Sequence, residues 1–346
     1  MKQLRIQGTA WQIGRQLGEF GRDAWHQKIV VTGLWQRIVP LIGSPQAMEL
    51  AAATRARFPE VMAELEGMAE GLQADPLAVF AWNCRGDLLP STSDGCTTLF
   101  GRDAQGRIII AHNEDGLPPL RDGCALVRVE PTEGPGFTSF AYPGSLCGHT
   151  FAVNDAGLVN TVNNIRASHR PRGLPRQILG RASLNARDLN GALAILTGEA
   201  RAGAFHHTLA QAGSPLLYSV EACGDSCSVE EVVNVGGHAN HLVHGAQGRV
   251  AQRITDSSAA RQRRVNDWLA ESPEKTLSEQ LALALLSDTS NPTLPVWRQA
   301  PDDPDEENTL ATAIFCLSEE GVSWNIWESD RAIPSLSGRM ALVEHN

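Results

Sequence analysis

Hydrophobic residues in the first part of the chain recur at helical spacing. The clearest stripe has intervals of four, three and four residues and comprises Val61, Leu65, Met68 and Leu72. This spacing places the stripe on one face of an α-helix. Asp75 followed by Pro76 is typical of an N-cap and the first turn of another helix. We therefore predict that the first ninety residues are helical.

After the polar, turn-rich segment 91–95 the pattern changes to short runs typical of β-strands. The runs pair into three predicted hairpins: 97–100 with 107–111, 151–153 with 158–162, and 311–317 with 322–327. We predict further strands at 216–221 and 227–233, and helices at 176–186, 189–196, 257–269 and 277–286. Hairpin-linked strands mixed with helices predict an α+β fold with antiparallel sheets.

Composition narrows the class of protein. With 346 residues, 42% of them hydrophobic and 20% charged, the chain has the composition of a globular protein. Its formal charge of −10 argues against nucleic acid and anionic membranes as partners. It has no apolar run of the roughly 18–20 residues that a membrane helix needs and no hydrophobic leader, which together predict a cytoplasmic protein. Its seven cysteines are an odd number and do not resemble a disulfide framework.

Cys96 is the strongest candidate for chemistry. A lone cysteine is most often a small buried hydrophobic residue, but this one follows Gly95, whose carbonyl has no side chain to shield it. Attack of the thiol on that carbonyl would convert the peptide bond into a thioester, and water would then release a new chain beginning at Cys96. The freed α-amino group has an ordinary pKa near 7.7–8, so it can act as general base for its own thiol.

Several motifs are shared with one enzyme family. They are Asp94-Gly95-Cys96-Thr97-Thr98, Ala111-His112-Asn113-Glu114-Asp115, His238-Ala239-Asn240-His241, Arg298, and upstream Phe58-Pro59-Glu60 with Glu66-Gly67-Met68-Ala69-Glu70-Gly71. With these motifs the chain resembles the autoproteolytic acyltransferase and hydrolase family typified by isopenicillin N acyltransferase, whose members are N-terminal-nucleophile cysteine enzymes. The resemblance covers most of the chain.

The resemblance implies a four-layer αββα fold, with two antiparallel sheets between helices, and self-cleavage between Gly95 and Cys96. Residues 1–95 would then form a helical propeptide or small subunit packed on a catalytic core of residues 96–346. The N-terminal fragment is accordingly an expected partner of the mature enzyme, and a homo-oligomer is left open.

Carried over position by position, the resemblance also implies roles for four residues. Cys96 is similar to the nucleophile and Asp115 to the acid that orients its amine. Asn240 is similar to the side-chain donor to the oxyanion, an interaction worth about 2.7–4 kcal/mol in a measured protease. Arg298 is similar to the cation that supports the site and pairs with Asp115.

Each of the last three residues has a structural alternative. Asp115 precedes a glycine and fits a turn carboxylate, Asn240 fits a loop amide that binds its own backbone, and Arg298 fits a surface side chain. Asn163 and Asn164, at the end of a predicted strand, are candidates for substrate binding, and a structural turn explains them equally well.

Metal and nucleotide sites have weak support. His238, His241 and His244 are three residues apart, a spacing that only a helix would align on one face. Cys223 and Cys227 lack a second pair at zinc spacing, so free thiols are expected. Neither glycine-rich phosphate-binding motif is present. We predict no metal and no cofactor.

We predict a cysteine amidohydrolase that cleaves a small linear amide. Because relatives in the family cleave β-alanyl amides of biogenic amines, β-alanyl and other N-acyl amines are candidate substrates. Three alternatives stay open: an acyltransferase that moves an acyl group from a thioester or amide to an amine, an uncleaved binding or scaffold protein, and a thiol protease with His112 or His149 as base. The acidic run 301–308 is expected to be a solvated loop, with a cation-attracting rim as the alternative.

Overall fold

The computed structural model describes residues 1–92, 95–271, 276–300, 303 and 306–342. Within these ranges the helices are α1 (Ala10–Ala24), α2 (Gly33–Ile38), α3 (Pro45–Arg57), α4 (Pro59–Leu72), α5 (Pro76–Asn83), α6 (Arg85–Leu88), α7 (Arg176–Ser183), α8 (Leu189–Thr197), α9 (Asp256–Glu271) and α10 (Glu279–Leu286). The strands are β1 (Lys2–Gly8), β2 (Gly95–Arg102), β3 (Ile108–Gly116), β4 (Ala125–Pro131), β5 (Phe137–Ala141), β6 (Phe151–Asn154), β7 (Leu158–Ile165), β8 (Ala204–Gln211), β9 (Leu217–Cys223), β10 (Ser226–Glu231), β11 (Gly236–His238), β12 (Asn308–Ser318), β13 (Gly321–Trp327) and β14 (Leu336–Ala341).

The strands form two sheets. The larger has eight strands in the order β1-β4-β5-β6-β7-β8-β9-β10, and the smaller has six in the order β11-β2-β3-β12-β13-β14. Neighbouring strands are antiparallel in both sheets, apart from the parallel pair β1 and β4. The three predicted hairpins correspond to β2–β3, β6–β7 and β12–β13, and are confirmed.

The two sheets pack face to face with helices on both outer sides. Between the sheets, Phe151 of β6 meets Phe315 of β12 with ring centroids 6.1 Å apart. On the outside of the six-stranded sheet, Val265 of α9 and Leu285 of α10 join one apolar cluster with Ile109. A separate cluster joins α7 and α8 to β7, β8 and β9 of the eight-stranded sheet. The predicted four-layer αββα architecture is confirmed.

The prediction that the first ninety residues are entirely helical is wrong at the start. Residues 2–8 form β1, which pairs in register with β4 from Lys2 opposite Ala125 to Gly8 opposite Pro131. In this edge strand only Ile6 is buried, so local hydrophobic alternation gives little signal and a partner more than a hundred residues away decides the conformation. The sequence pattern likewise gave no strand after residue 327, where the structure has the edge strand β14.

The N-terminal helices share their core with the sheets. A Cβ at Gly14 of α1 would collide with the carbonyl oxygen of Glu64 in α4, and one at Gly67 would collide with the carbonyl oxygen of Trp11. Glycine is therefore what allows these two helices to touch along their backbones. Their buried side chains, including Ile13 and Leu65, belong to the same apolar cluster as Phe140 of β5. Across the described ranges, no helix is both long and apolar enough to cross a membrane.

Candidate active site

Cys96 is the second residue of β2 and lies between the two sheets. In the antiparallel pairing of β2 with β3, Gly95 is opposite Asp115 and Cys96 is opposite Glu114. All four residues are buried, with Cys96 only 2% exposed. The motif around Cys96 and the motif around Asp115 are thus brought together by one hairpin, which places two carboxylates beside the Gly95–Cys96 peptide.

Asn240 approaches this peptide from the segment that follows β11. Its Oδ1 accepts a hydrogen bond of 2.9 Å from the backbone N–H of Cys96. Its Nδ2 donates to the backbone carbonyl of Asn164 at 3.0 Å. The residue is fully buried, so Asn240 is a site residue in geometry and not a loop amide bonded to its own turn.

Arg261 of α9 is a site residue that the sequence analysis missed. Its guanidinium donates to the backbone carbonyl of Cys96, to Oγ1 of Thr97 at 2.9 Å, and to Oδ1 of Asn240 at 2.6 Å. The side chain is 1% exposed. Because guanidinium groups only donate, these bonds fix Asn240 with its oxygen toward Cys96 and its amide nitrogen toward Asn164. Arg263 and Arg264 follow in the same run, and no sequence signal distinguished Arg261 from them.

Arg298 lies behind the peptide, buried and ion-paired. It donates to the carboxylates of Asp303 and Glu307, both of which are themselves buried. Arg166 donates to the other oxygen of Glu307 at 3.3 Å. Arg298 is therefore not a surface side chain. It is ion-paired with these two carboxylates, and its charge also opposes the rise that burial causes in the pKa of Asp115.

The interpretation of the acidic run as a solvated loop is wrong for Asp303 and Glu307. Both carboxylates are neutralised by Arg298 inside the protein, so they do not form an exposed rim either. Pro301, Asp302, Pro304 and Asp305 lie outside the described residues. Burial raises the pKa of Glu307 to about 7, against the opposing influence of Arg298, Arg166 and Arg261.

Asp115 has one bonded and one unbonded oxygen. Thr309 donates to its Oδ1 at 2.7 Å, whereas its Oδ2 is buried with no hydrogen-bond partner among the described residues. Burial raises the pKa of Asp115, and the nearby charges of Arg261 and Arg298 oppose that rise. An unsatisfied buried acceptor next to Gly95 is costly, and it leaves this oxygen free to accept a further hydrogen bond.

The Cys96 thiol faces Glu114. Its Sγ lies 3.7 Å from Oε2 of Glu114, to which it donates. Burial raises the pKa of the thiol well above its usual value, the charge of Asp115 raises it further, and a backbone hydrogen bond from Asn164 and the charge of Arg261 oppose this. The sulfur is therefore a neutral thiol in the intact chain and needs a base before it can attack.

The two candidate substrate residues of β7 lie in different surroundings. Asn163 is fully buried; its Oδ1 accepts from Thr98 at 2.7 Å and its Nδ2 donates to the carbonyl of His238 at 3.1 Å. Asn164 lines a cavity beside Cys96. The structure thus brings Asn164, but not the side chain of Asn163, to the space next to the thiol.

That cavity is small and polar. Its volume is about 10 Å³, room for about one water molecule. It is lined by Arg85, Cys96, Glu114, His149, Asn164, Arg176, Gln177 and Phe205. A far larger cavity, of about 820 Å³, lies among the turns at the other end of β2 and β12, and no candidate site residue lines it. In the intact chain the space next to Cys96 is too small for an amide substrate.

Atoms that metals bind are present at one place in the described part of the chain. Cys96, His112 and Glu114 bring ligand-type atoms within 4.8 Å of one another, and His112 and Glu114 are hydrogen-bonded at 3.0 Å. His238 instead contacts Glu221 at 2.9 Å, and His241 contacts Ser258 at 2.8 Å. The histidines at 238, 241 and 244 therefore do not converge as one triad, and the absence of a metal stays a prediction.

Comparison with known proteins identifies the family. A model of the family described as acyl-coenzyme A:6-aminopenicillanic acid acyl-transferase matches residues 102–331, about two thirds of the chain. The chain belongs to this family. The resemblance to the isopenicillin N acyltransferase group is thereby confirmed, and the protein is an enzyme of the amide hydrolase and acyltransferase class.

One curated relative is similar over nearly its whole length. The chain is 25% identical to beta-alanyl-dopamine/carcinine hydrolase of Drosophila melanogaster, in an alignment that covers 92% of this chain and 91% of that protein. Among solved structures, it is similar to conjugated bile acid hydrolase from Clostridium perfringens, with a TM-score of 0.47, 10% identity, and 72% and 93% of the two chains covered. It is also similar to penicillin V acylase from Agrobacterium tumefaciens, with a TM-score of 0.39, 11% identity, and 72% and 87% of the two chains covered.

Proposed function

We propose that this acyltransferase-family enzyme cleaves itself between Gly95 and Cys96 and then uses Cys96 as the nucleophile of a hydrolase for small N-acyl amines. One observation carries the proposal: three buried groups converge on the backbone at Gly95 and Cys96. Asn240 accepts from the N–H of Cys96 in the Gly95–Cys96 peptide, Arg261 donates to the Cys96 carbonyl in the following peptide, and Asp115 lies across the strand pair from Gly95.

The surroundings of Gly95 support cleavage on its carboxyl side. A Cβ at position 95 would collide with Oε2 of Glu307, so only glycine fits where the attacked carbonyl must lie. Just upstream, the carbonyl of Thr92 accepts from Arg166 at 2.9 Å. The N-terminal side of the scissile bond is thus held in the site until it is cut, and its departure would enlarge the cavity beside Cys96.

After cleavage, the backbone nitrogen of Cys96 becomes an α-amine. Oδ1 of Asn240 already accepts from this nitrogen, and the unbonded Oδ2 of Asp115 can accept a second hydrogen. An amine held in this way takes the thiol proton, and the thiolate attacks the substrate carbonyl to give an acyl-thioester. The amide nitrogen of Asn240 carries two hydrogens and donates one to Asn164, so the other can stabilise the oxyanion.

The fragment of residues 1–95 would remain bound as a small subunit. Its helices share the main apolar cluster with the sheets, and β1 is a strand of the eight-stranded sheet. Removing these residues would expose that core and leave an unpaired strand edge on β4. The proposed mature enzyme is therefore a complex of the two fragments, 1–95 and 96–346.

The proposed substrate is a small N-acyl amine with a β-alanyl amide as the first compound to test. The relative from Drosophila melanogaster is described as a hydrolase of such compounds. The family description names acyl transfer from an acyl-coenzyme A, which makes acyl transfer to an amine the second candidate. Steady-state assays with and without an added amine acceptor separate the two, because transfer gives a new amide and hydrolysis gives only the free acid.

An intact-mass measurement under denaturing conditions tests the first step. Wild-type protein is expected to give two fragments, 1–95 and 96–346, while Cys96→Ala gives one chain of 346 residues. A single full-length mass in both proteins would contradict self-cleavage and favour the thiol protease or uncleaved alternatives. Cys227→Ser, at a half-buried cysteine outside the site, is the matched control and is expected to leave cleavage unchanged.

A substrate panel tests the second step. β-Alanyl amides carry a positive charge, whereas the present cavity is lined by two arginines and one glutamate. We expect turnover of neutral acyl amines as well as β-alanyl amines, with rates that change little between low and high salt. A strong preference for cationic substrates that disappears at high salt would restore electrostatic steering by the acidic run.

A further inference from the structure

The proposed self-cleavage has an unassigned proton acceptor. The mature enzyme has a free α-amine at Cys96, but in the intact chain that nitrogen is an amide and cannot act as a base. The thiol is neutral, because burial raises its pKa well above the usual value. The first cleavage therefore needs a base that the mature reaction does not.

Glu114 is the group next to the thiol. Its Oε2 lies 3.7 Å from Sγ of Cys96 and 3.0 Å from Nε2 of His112. Its Oε1 accepts from the hydroxyl of Tyr142 at 2.6 Å. The carboxyl group is held on both sides and is 2% exposed, so it is fixed against the sulfur.

The hydrogen bonds around His112 determine where its proton lies. Nδ2 of Asn163 donates to the His238 carbonyl, which turns its Oδ1 toward Thr98. The Thr98 hydroxyl therefore donates to Asn163 and accepts from Nδ1 of His112, at 2.7 Å in each case. A neutral His112 thus carries its hydrogen on Nδ1 and has a lone pair on Nε2.

That assignment requires a shared proton. The lone pair on Nε2 of His112 faces Oε2 of Glu114 at a hydrogen-bond distance of 3.0 Å, and two acceptors do not approach so closely without a hydrogen between them. Burial lowers the pKa of His112 to about 3, which puts the shared proton on Glu114 at rest. Glu114 then donates to His112 and accepts from the thiol.

We propose that Glu114 and His112 form a two-proton relay that serves as the general base for the first cleavage, between Gly95 and Cys96. The proposal rests on self-cleavage as the proposed function and assigns its base. The relay connects the thiol to His112 through Glu114, without direct contact between the two side chains. In this proposal the pairing of a cysteine with a histidine, as in a thiol protease, serves only the self-cleavage step.

The relay balances its protons and bonds. As Sγ of Cys96 bonds to the carbonyl carbon of Gly95, its proton passes to Oε2 of Glu114 and the former Glu114 proton passes to Nε2 of His112. When the bond between that carbon and the Cys96 nitrogen breaks, His112 returns its proton to Glu114, and the proton that Glu114 took from the thiol passes to the nitrogen instead of back to the sulfur. The products are a thioester and a free amine, and water then hydrolyses the thioester.

Pulse–chase labelling of the full chain in cell-free translation measures the cleavage rate. Glu114→Gln keeps the shape of the side chain and can keep its bonds to Tyr142 and His112, but its amide nitrogen cannot accept the thiol proton, and general-base catalysis contributes about 10²–10⁴-fold. We expect at least about a 100-fold slower loss of the intact chain. Glu64→Gln is the matched control, because Glu64 is an equally buried carboxylate paired with Arg181 in α7 and lies outside the relay.

The outcomes separate the two proposals. If wild-type chain is never cleaved, the proposed function fails; if it is cleaved and Glu114→Gln keeps pace within threefold, only the relay is overturned. A second measurement does not depend on the folding of any variant: the wild-type cleavage rate in mixtures of H₂O and D₂O. If two protons move in the transition state, a plot of the cleavage rate against the deuterium fraction is curved. A linear plot overturns the relay.

Discussion

Two buried polar regions flank the Gly95–Cys96 peptide. One holds charged side chains in ion pairs, and the other holds neutral side chains joined by hydrogen bonds. The charged region consists of Asp115, Arg166, Arg261, Arg298, Asp303 and Glu307. The neutral region consists of Thr98, His112, Asn163, His206, Ser219 and His244. In the charged region ion pairs such as Arg298 with Glu307 neutralise buried charges, whereas in the neutral region burial lowers the pKa of His112, His206 and His244.

The difference shows how the molecule divides two tasks. A charge that is fixed before the reaction stabilises charge that develops on an oxyanion or amine without reorganising. A neutral chain of donors and acceptors, from His112 through Thr98 and Asn163 to His206, cannot supply such a field but can fix tautomers and hold a proton at one place. The two regions should therefore respond differently to the same kind of perturbation.

Removal of the central cation of the charged region, Arg298, should cause the largest loss of stability. Arg298→Met removes the guanidinium that pairs with both Asp303 and Glu307, leaving Glu307 its weaker contact with Arg166, and breaking a buried ion pair in this way costs about 3–5 kcal/mol. Urea unfolding at pH 8, where Glu307 is ionised, measures the loss. Arg339→Met is the control, since Arg339 pairs with Glu320 on the surface and should cost no more than about 1 kcal/mol. Equal effects would contradict the structural role of Arg298.

A smaller effect is expected at the residue that joins the charged region to the scissile peptide. Asn240→Ala removes the acceptor for the Cys96 nitrogen and the proposed oxyanion donor, which should slow turnover by about 10²–10³, or about 2.7–4 kcal/mol of barrier. Single-turnover assays on cleaved protein measure it. Asn240→Asp keeps the acceptor and loses the donor, so near-wild-type turnover in this variant would rule out the oxyanion role.

The sequence predicted the parts of this arrangement that depend on local pattern. The β2–β3 hairpin follows from alternation around a turn, and pairing of its strands is what puts Asp115 opposite Gly95. Arg261 was not predictable because helical periodicity does not distinguish one arginine of a basic run from another. Edge strand β1 was missed because its pairing with β4 is remote in sequence. Long-range packing, not local propensity, decides such features.

The same limit applies to Glu114. It precedes Asp115 in the sequence, and nothing local shows which of two adjacent carboxylates meets the thiol. In a strand neighbouring side chains point to opposite faces, so one of the pair must face each sheet surface. Only the register of β2 on β3 determines that Glu114 contacts Cys96. The proton position on His112 depends further on Thr98 and Asn163, which belong to two other strands.

The two regions should have opposite pH dependence in stability. Burial raises the pKa of Glu307 from 4.5 to about 7, so between these values the folded state binds more protons and stability falls as pH rises. Burial lowers the pKa of His112 from 6.5 to about 3, so there the unfolded state binds more protons and stability falls as pH falls. Each group contributes a slope of up to about 1.4 kcal/mol per pH unit.

Urea midpoints of two variants between pH 4.5 and 7 separate these contributions. His112→Asn keeps a polar side chain beside Thr98 and should lose stability less steeply than wild type on acidification. Glu307→Gln should lose stability less steeply on the rise toward pH 7. If either variant keeps the wild-type dependence of stability on pH, the pKa shift of the replaced residue does not cause the pH dependence of that region.

The smallest expected change in stability comes from comparing a hydrogen-bonded hydroxyl of the neutral region with a buried hydroxyl that is not hydrogen-bonded. Thr98→Val is isosteric but leaves Nδ1 of His112 and Oδ1 of Asn163 without the hydroxyl between them, which should cost about 1–3 kcal/mol of stability. Thr208→Val removes a buried hydroxyl that has no partner among the described residues, so its cost should be near zero or of opposite sign. Thermal unfolding of the pair provides the measurement. If both variants lose equal stability, packing stabilises the neutral region, and the hydrogen bonds that fix the His112 tautomer contribute little. If only Thr98→Val loses stability, the neutral region depends on completed hydrogen bonds, just as the charged region depends on completed ion pairs.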